Sequence, residues 1–324
     1  MTERFLLLMV SCCLLTEATP ADVLIDRDNT PFAGVFGFPD SREGSQLESP
    51  GDDSWEFYSA VSSHSTRDTD GAESTLLDGE TTRLAVTYRR GISKRMELGL
   101  EIPWVFHESG SLDALIDRWH GIFGLSQAIR DELPRDQLQF VYEDNGRIFN
   151  MNRNAHGWGD LRFLVGWQLS ESANGSSALR ASLKLPTGDS DRMLGSGNAD
   201  FSLGLAGDTV RLMGIERLSG FYRSSAIWLG SPDLFSDRSK RVVGQLSAGL
   251  GYDVTARTAI GLQALLRSPV YDTDVSPLGD TAASVTIGLR FRLSQKYLLS
   301  LAVGEEIQAG SVPDVTFVLS LQGR

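Results

Sequence analysis

Met96-Glu97-Leu98-Gly99-Leu100-Glu101-Ile102-Pro103-Trp104 places large apolar side chains at even positions and the carboxylates Glu97 and Glu101 at odd ones. Successive side chains of an extended strand point to opposite faces, so this stretch has one oily face and one charged face. The same phase returns in Leu161, Phe163, Val165, Trp167 and Leu169, opposed by Asp160, Arg162 and Gln168. It recurs in Thr82, Leu84, Val86 and Tyr88, opposed by Arg83 and Arg89, and in Ala283, Val285, Ile287, Leu289, Phe291 and Leu293, opposed by Arg290 and Arg292.

Working outward, strand-like segments lie near 55–64, 80–90, 95–105, 158–169, 177–186, 199–209, 219–229, 241–252, 257–267, 282–293, 296–304 and 313–322. Most have the length of a tilted membrane strand, about 9–11 residues. The links between them alternate in length. Links 91–94, 170–176, 253–256 and 294–295 are short, and 210–218 is the longer exception on that side. Links 65–79, 106–157, 187–198, 230–240, 268–281 and 305–312 are long. Outer-membrane barrels impose this rule, with tight periplasmic turns and long outer loops. The expected fold is therefore all-β: an antiparallel up-and-down transmembrane β-barrel of twelve strands, with both termini in the periplasm.

Aromatic placement agrees. Trp55, Tyr88, Trp167, Tyr252, Phe291 and Tyr297 fall at the predicted periplasmic ends, and Trp104, Phe106, Trp158, Phe201 and Trp228 at the outer ends. Rings with a polar edge favour membrane interfaces, which predicts two girdles.

The chain start reads as an export signal, residues 1–21. Arg4 precedes the apolar run 5–15, and Thr19-Pro20-Ala21 supplies small residues at a cleavage point before Asp22. The run is shorter than the roughly 20 apolar residues of a spanning helix, and no later stretch reaches that length. Cys12 and Cys13 lie inside the run, so cleavage leaves no disulfide framework. Val10-Ser11 before Cys12 also fits a lipidated cysteine, with an unusually short signal. Residues 22–54, rich in Asp, Ser, Gly and Pro without period, read as an extended N-terminal arm before a single barrel domain, 55–324.

Lys and Arg number 30 against 42 Asp and Glu. That balance argues against nucleic acid, whose phosphates want a basic surface. The expected partners are outer-membrane lipid, a small solute whose identity the sequence does not give, and the barrel-assembly machinery. No cofactor and no catalytic residue are expected.

The 106–157 insert is partly helical by pattern: Leu112, Leu115, Ile116, Trp119, Ile122 and Phe123 recur at helical spacing. Strand-like 137–142 and 147–151 flank Glu143-Asp144-Asn145-Gly146, a hairpin-turn signal. The insert is expected to plug the lumen or cap its outer mouth.

Candidate chemistry is sparse. Asp113, Asp117 and His120 share one helical face near His107 and Glu108, where a divalent metal is one reading and a solvated face the simpler one. Ser126 with His120, His107 or His156 has the residue types of a lipid hydrolase but no Gly-x-Ser-x-Gly elbow. Pro186-Thr187-Gly188-Asp189-Ser190-Asp191 reads as a turn and lacks the ligand spacing of a calcium loop. The lumen-facing charges remain: Arg83, Glu97, Glu101, Asp160, Arg162, Arg180, Lys184, Arg290 and Arg292, with Arg89 and Arg223. Their basic excess favours anions in an open pore, whereas pairing across strands merely fills a narrow one.

Several stretches resemble a known family: residues 29–33, Leu77-Asp78-Gly79-Glu80-Thr81-Thr82-Arg83, Leu112-Asp113 through Ile116-Asp117 to His120, Phe123-Gly124-Leu125, Leu183-Lys184-Leu185-Pro186-Thr187-Gly188-Asp189-Ser190, and Pro313-Asp314-Val315. These are similar to uncharacterised Gram-negative proteins catalogued as domain of unknown function 3187. The resemblance implies an exported outer-membrane protein and carries no established activity. One departure from barrel proteins in general is the ending Gln322-Gly323-Arg324, where an aromatic residue is expected.

Overall fold

The structure, a computed structural model, describes residues 27–39, 43–110, 112, 116, 118, 121, 133–307 and 313–324. Fifteen strands follow in chain order: β1 (Asp53–Asp70), β2 (Glu73–Ser93), β3 (Met96–Glu108), β4 (Gln139–Asp144), β5 (Arg147–Met151), β6 (Ala155–Trp158), β7 (Arg162–Ser172) and β8 (Gly175–Lys184). They continue as β9 (Asp200–Thr209), β10 (Leu218–Trp228), β11 (Val242–Asp253), β12 (Thr258–Arg267), β13 (Ala282–Arg292), β14 (Tyr297–Glu306) and β15 (Val315–Gly323).

Each long strand pairs antiparallel with the next, β3 passing to β7. The sheet closes where β1 meets β15, with Trp55 opposite Gly323, Ser59 opposite Leu319 and Ser63 opposite Val315. Twelve strands thus form a barrel with no free edge, as bilayer hydrocarbon demands of a sheet. Among the described residues no helix is long and apolar enough to cross a membrane.

The predicted alternation sets the two faces. Val86, Leu98, Ile102, Phe163, Val165, Trp167, Ile287 and Leu289 are exposed on the outside, an inside-out arrangement for a protein in water. Both girdles form: Trp55 lies 6.3 Å from Tyr297 at the end carrying the short turns, and Phe201 lies 5.6 Å from Trp228 at the end carrying the loops. The β15 pattern holds to the end of the chain, where Gly323 leaves room for the Trp55 ring.

Two elements differ from expectation. The 65–79 link is not a loop: β1 and β2 continue past the membrane band and turn at Gly71-Ala72. On β1 the extension is wholly polar, Ser65 to Asp70, and on β2 only the adjacent Leu76 and Leu77 interrupt polar residues, so the sequence shows no apolar period there. The hairpin predicted from Asn145-Gly146 is present as β4–β5, both turn residues having positive φ, and β4 pairs with the β2 extension from Glu73–Asp144 to Asp78–Gln139. The described part of the insert therefore builds a wall beyond the loop end. The helix read over 112–123 falls largely outside the described residues.

The second difference concerns the arm. Its described part lies inside the barrel, and Phe32, Ala33, Phe36 and Phe38 are each no more than 1% exposed.

Candidate functional site

The arm enters from the turn end, where the amides and carbonyls of Gly51, Asp52 and Gly91 pair at 2.9–3.0 Å. A side chain at Gly91 would collide with the Ser49 carbonyl, so glycine is required where the arm crosses β2. Glu48 N donates to Glu97 Oε2 at 2.7 Å, and Gln168 Nε2 donates to Ser45 O at 2.9 Å. Arg180 grips the carbonyls of Gly44 (2.6 Å) and Gln46 (2.9 Å). Higher up, Glu43 meets Arg162 at 2.7 Å and Pro39 O accepts from Gln245 at 2.8 Å.

At the loop end the arm reverses. Asp28 accepts from Thr30 N in an Asx turn, and Ala33 N and Gly34 N close onto Thr30 O. Phe32 sits at the tip with φ 69°, a left-handed conformation that costs a bulky L-residue roughly 1–2 kcal/mol. Aromatic packing holds it there, with ring centroids 5.4 Å from Phe149, 6.1 Å from Phe235 and 6.3 Å from Tyr142. Tyr271 donates to Phe32 O at 3.2 Å, and its phenol is pushed above the ordinary range by burial. The chain then turns back down: Asp28 pairs with Arg267 at 2.6 Å, Asn29 with Ser62 at 3.1 Å, and Arg27 approaches Glu101 at 3.7 Å.

The predicted lumen charges form three groups of ion pairs around the arm. Glu101 joins Arg83 (2.7 Å) and Arg162 (3.0 Å), and Glu97 joins Arg180 (2.7 Å) and Arg89 (3.0 Å). Lys184 lies between Asp160 (2.6 Å) and Asp200 (3.1 Å), and Asp200 also accepts the Gly37 amide at 2.8 Å. Arg290 is on the inner face, 4.0 Å from Asp253. Arg292 is half-buried at the turn end, away from the lattice. Burying an ion pair gains little over an apolar pair, but leaving one member unpaired costs several kcal/mol, so each group of this ion lattice stands or falls as a set.

The remaining candidates lie elsewhere. Asp113, Asp117, His120 and Ser126 fall outside the described residues. His107 is buried, its Nε2–H donating to Met193 O (3.0 Å) and its Nδ1 bonded to Thr81 (3.1 Å), which in turn bonds His64. His156 stacks on Trp104 and Phe106 at the outer surface. The amides of Thr187 and Gly188, in the acidic turn, donate to Asp160.

The arm's place inside the lumen, Arg267 and Asp200 were missed by sequence reasoning. One signal was available: Phe32, Phe36 and Phe38 place three aromatic rings within seven residues of an arm otherwise rich in Asp, Ser, Gly and Pro, which an exposed arm does not explain. A cavity of about 120 Å³ remains beside the arm at the turn end, lined by Arg89, Arg180, Arg223, Glu48, Glu97 and Asp208 among others.

The backbone is similar to the COG4313 outer membrane channel from Pseudomonas putida F1, at 14% identity and a TM-score of 0.56 over 87% of this chain and 98% of that one. Looser likenesses extend to the KdgM porin (11% identity, TM-score 0.44, 84% and 98% of the chains) and the P. putida toluene transporter TodX (9%, 0.38, 86% and 93%). The first of these shows the barrel fold of an outer-membrane channel. No curated protein matches the sequence. The model of the family described as protein of unknown function (DUF3187) matches residues 11–324, and the chain belongs to that family.

Proposed function

We propose that this chain is an outer-membrane channel for small solutes, held closed by its own N-terminal arm. The supporting observation is the union of an apolar outer face with a lumen of hydrogen-bonding and charged groups. The arm fills this lumen through non-covalent contacts alone, so its withdrawal leaves a polar path along which a solute can pass. In this reading the turn end and both termini face the periplasm, and lipid contacts the band between the girdles. Neither the chemistry proposed for the insert helix nor a hydrolytic role enters it.

The arm itself favours a second reading, a non-conducting envelope barrel used for binding or as a scaffold. Current through planar bilayers separates the two. The channel reading expects small, infrequent openings from the native chain and larger, sustained ones from Asp28→Asn with Glu43→Gln, which weakens the two arm carboxylates held by Arg267 and Arg162. Silence from both proteins, each correctly inserted and resistant to denaturation until boiled, contradicts it.

A further inference from the structure

We infer that the arm is a tethered stand-in for the solute, and that the lumen accepts short, extended acidic peptides. The inference rests on the channel reading above and deepens it.

Two sets of contacts carry it. The first recognises peptide backbone. Arg180, Gln168 and Gln245 donate to arm carbonyls, while Glu97 and Asp200 accept the amides of Glu48 and Gly37. These wall groups read both the acceptors and the donors of an extended chain, which a simple anion lacks. The second set recognises carboxylate. Arg267 is 2% exposed and holds Asp28 at 2.6 Å; Arg162 is fully buried and holds Glu43 at 2.7 Å. Guanidinium is suited to this task because its fixed fork matches a carboxylate and stays charged.

Charge points the same way. The described residues of the arm, 27–39 and 43–48, contain Arg27 against Asp28, Glu43 and Glu48, a net of −2. When the arm leaves, the lumen loses that charge and its balance shifts toward positive by the same amount. A narrow, poorly screened lumen then favours anions. The covalent tether gives the arm an effective concentration on the order of millimolar, so a free peptide competes in that range.

The test uses the Asp28→Asn, Glu43→Gln full-length chain in planar bilayers under a potassium chloride gradient, with tetraglutamate, tetraglutamine or tricarballylate added. The expected result is a zero-current potential favouring chloride several-fold. Millimolar tetraglutamate should interrupt the current, with much weaker effects from tetraglutamine and tricarballylate. Adding Arg267→Gln to that chain should lower both the chloride preference and the tetraglutamate block, which ties the effect to the wall. Cation preference, or equal block by tetraglutamate and tetraglutamine, overturns the charge assignment. Equal block by tricarballylate overturns the peptide assignment. Absence of any current from an inserted, heat-modifiable barrel instead overturns the channel reading beneath them.

Discussion

The two sides of the lumen are built from different chemistry. On β3, β7 and β8 the inner face carries Glu97, Glu101, Arg162, Arg180 and Lys184, nearly all in ion pairs of 2.6–3.1 Å. On β12, β13 and β14 the corresponding positions hold Gly261, Gln263, Thr286, Gly288, Ser300 and Ala302, with charge confined to the ends, Arg267 and Glu306 toward the loops and Arg290 and Arg292 toward the turns. The arm's carboxylate and backbone contacts fall chiefly on the first wall, reaching across to Gln245 and Arg267 at the loop end. One wall therefore grips and the other is smooth. A path that opens without dismantling the ion lattice runs along the smooth side, beside Gln263, whose buried amide has no hydrogen-bond partner on either atom among the described residues.

Substitutions on the two walls should differ in size. The largest effect is expected from Arg162→Met, which leaves Glu43 and Glu101 buried without a shared cation. Breaking a buried pair this way costs about 3–5 kcal/mol. The midpoint of denaturant unfolding, followed by loss of the fast-migrating heat-modifiable band, measures it; a change below about 1 kcal/mol means that the gripping wall is not strongly coupled. Gln263→Leu on the smooth wall is the contrasting case. Removing two unpartnered buried polar atoms while keeping the volume should change stability by less than about 1 kcal/mol, toward a firmer barrel. A large loss there erases the distinction between the walls.

Acid should act on the cap before the barrel. Asp144 at the loop end receives Arg147 and, at 3.0 Å, Arg238, and its carboxyl is held below the usual range chiefly by the Arg147 hydrogen bond. A depressed folded-state value means that its stabilising effect is complete above the unfolded value of 3.8 and is lost as pH falls through the lower one. Arg147 and its other partner Asp237 are more than half exposed, so this is a small effect, screened by salt. Hydrogen exchange, corrected for its intrinsic pH dependence, should show β4–β5 amides losing protection as pH falls below 3.8 while β11–β13 amides keep theirs. Equal loss in both places contradicts a separately tied cap.

Legibility in the sequence follows the same physical divide. The strands were readable because hydrocarbon on one face and water or protein charge on the other enforce a period of two, and 96–104 shows it without interruption. Arg83, Glu97, Glu101, Arg162, Arg180 and Lys184 were readable as inward-facing because they sit in antiphase to that pattern. Their pairing partners on the arm were not. Asp28 and Glu43 lie in a segment without period, and their contacts join residues 239 and 119 apart in the chain. The β1–β2 extension was missed for a related reason: beyond the bilayer neither face need be apolar, so Ser65-Thr66-Arg67-Asp68 reads as loop while it continues as strand.

The occupied lumen is tested most directly by thiol accessibility. Ala33 is 1% exposed among the arm's aromatic rings, and Gln295 lies exposed on the β13–β14 turn. In reconstituted barrels with Cys12 and Cys13 replaced by serine, Ala33→Cys should react with a charged thiol reagent at least about a hundredfold more slowly than Gln295→Cys, the protection expected of a buried site. Equal rates at the two positions would mean that the arm does not fill the barrel.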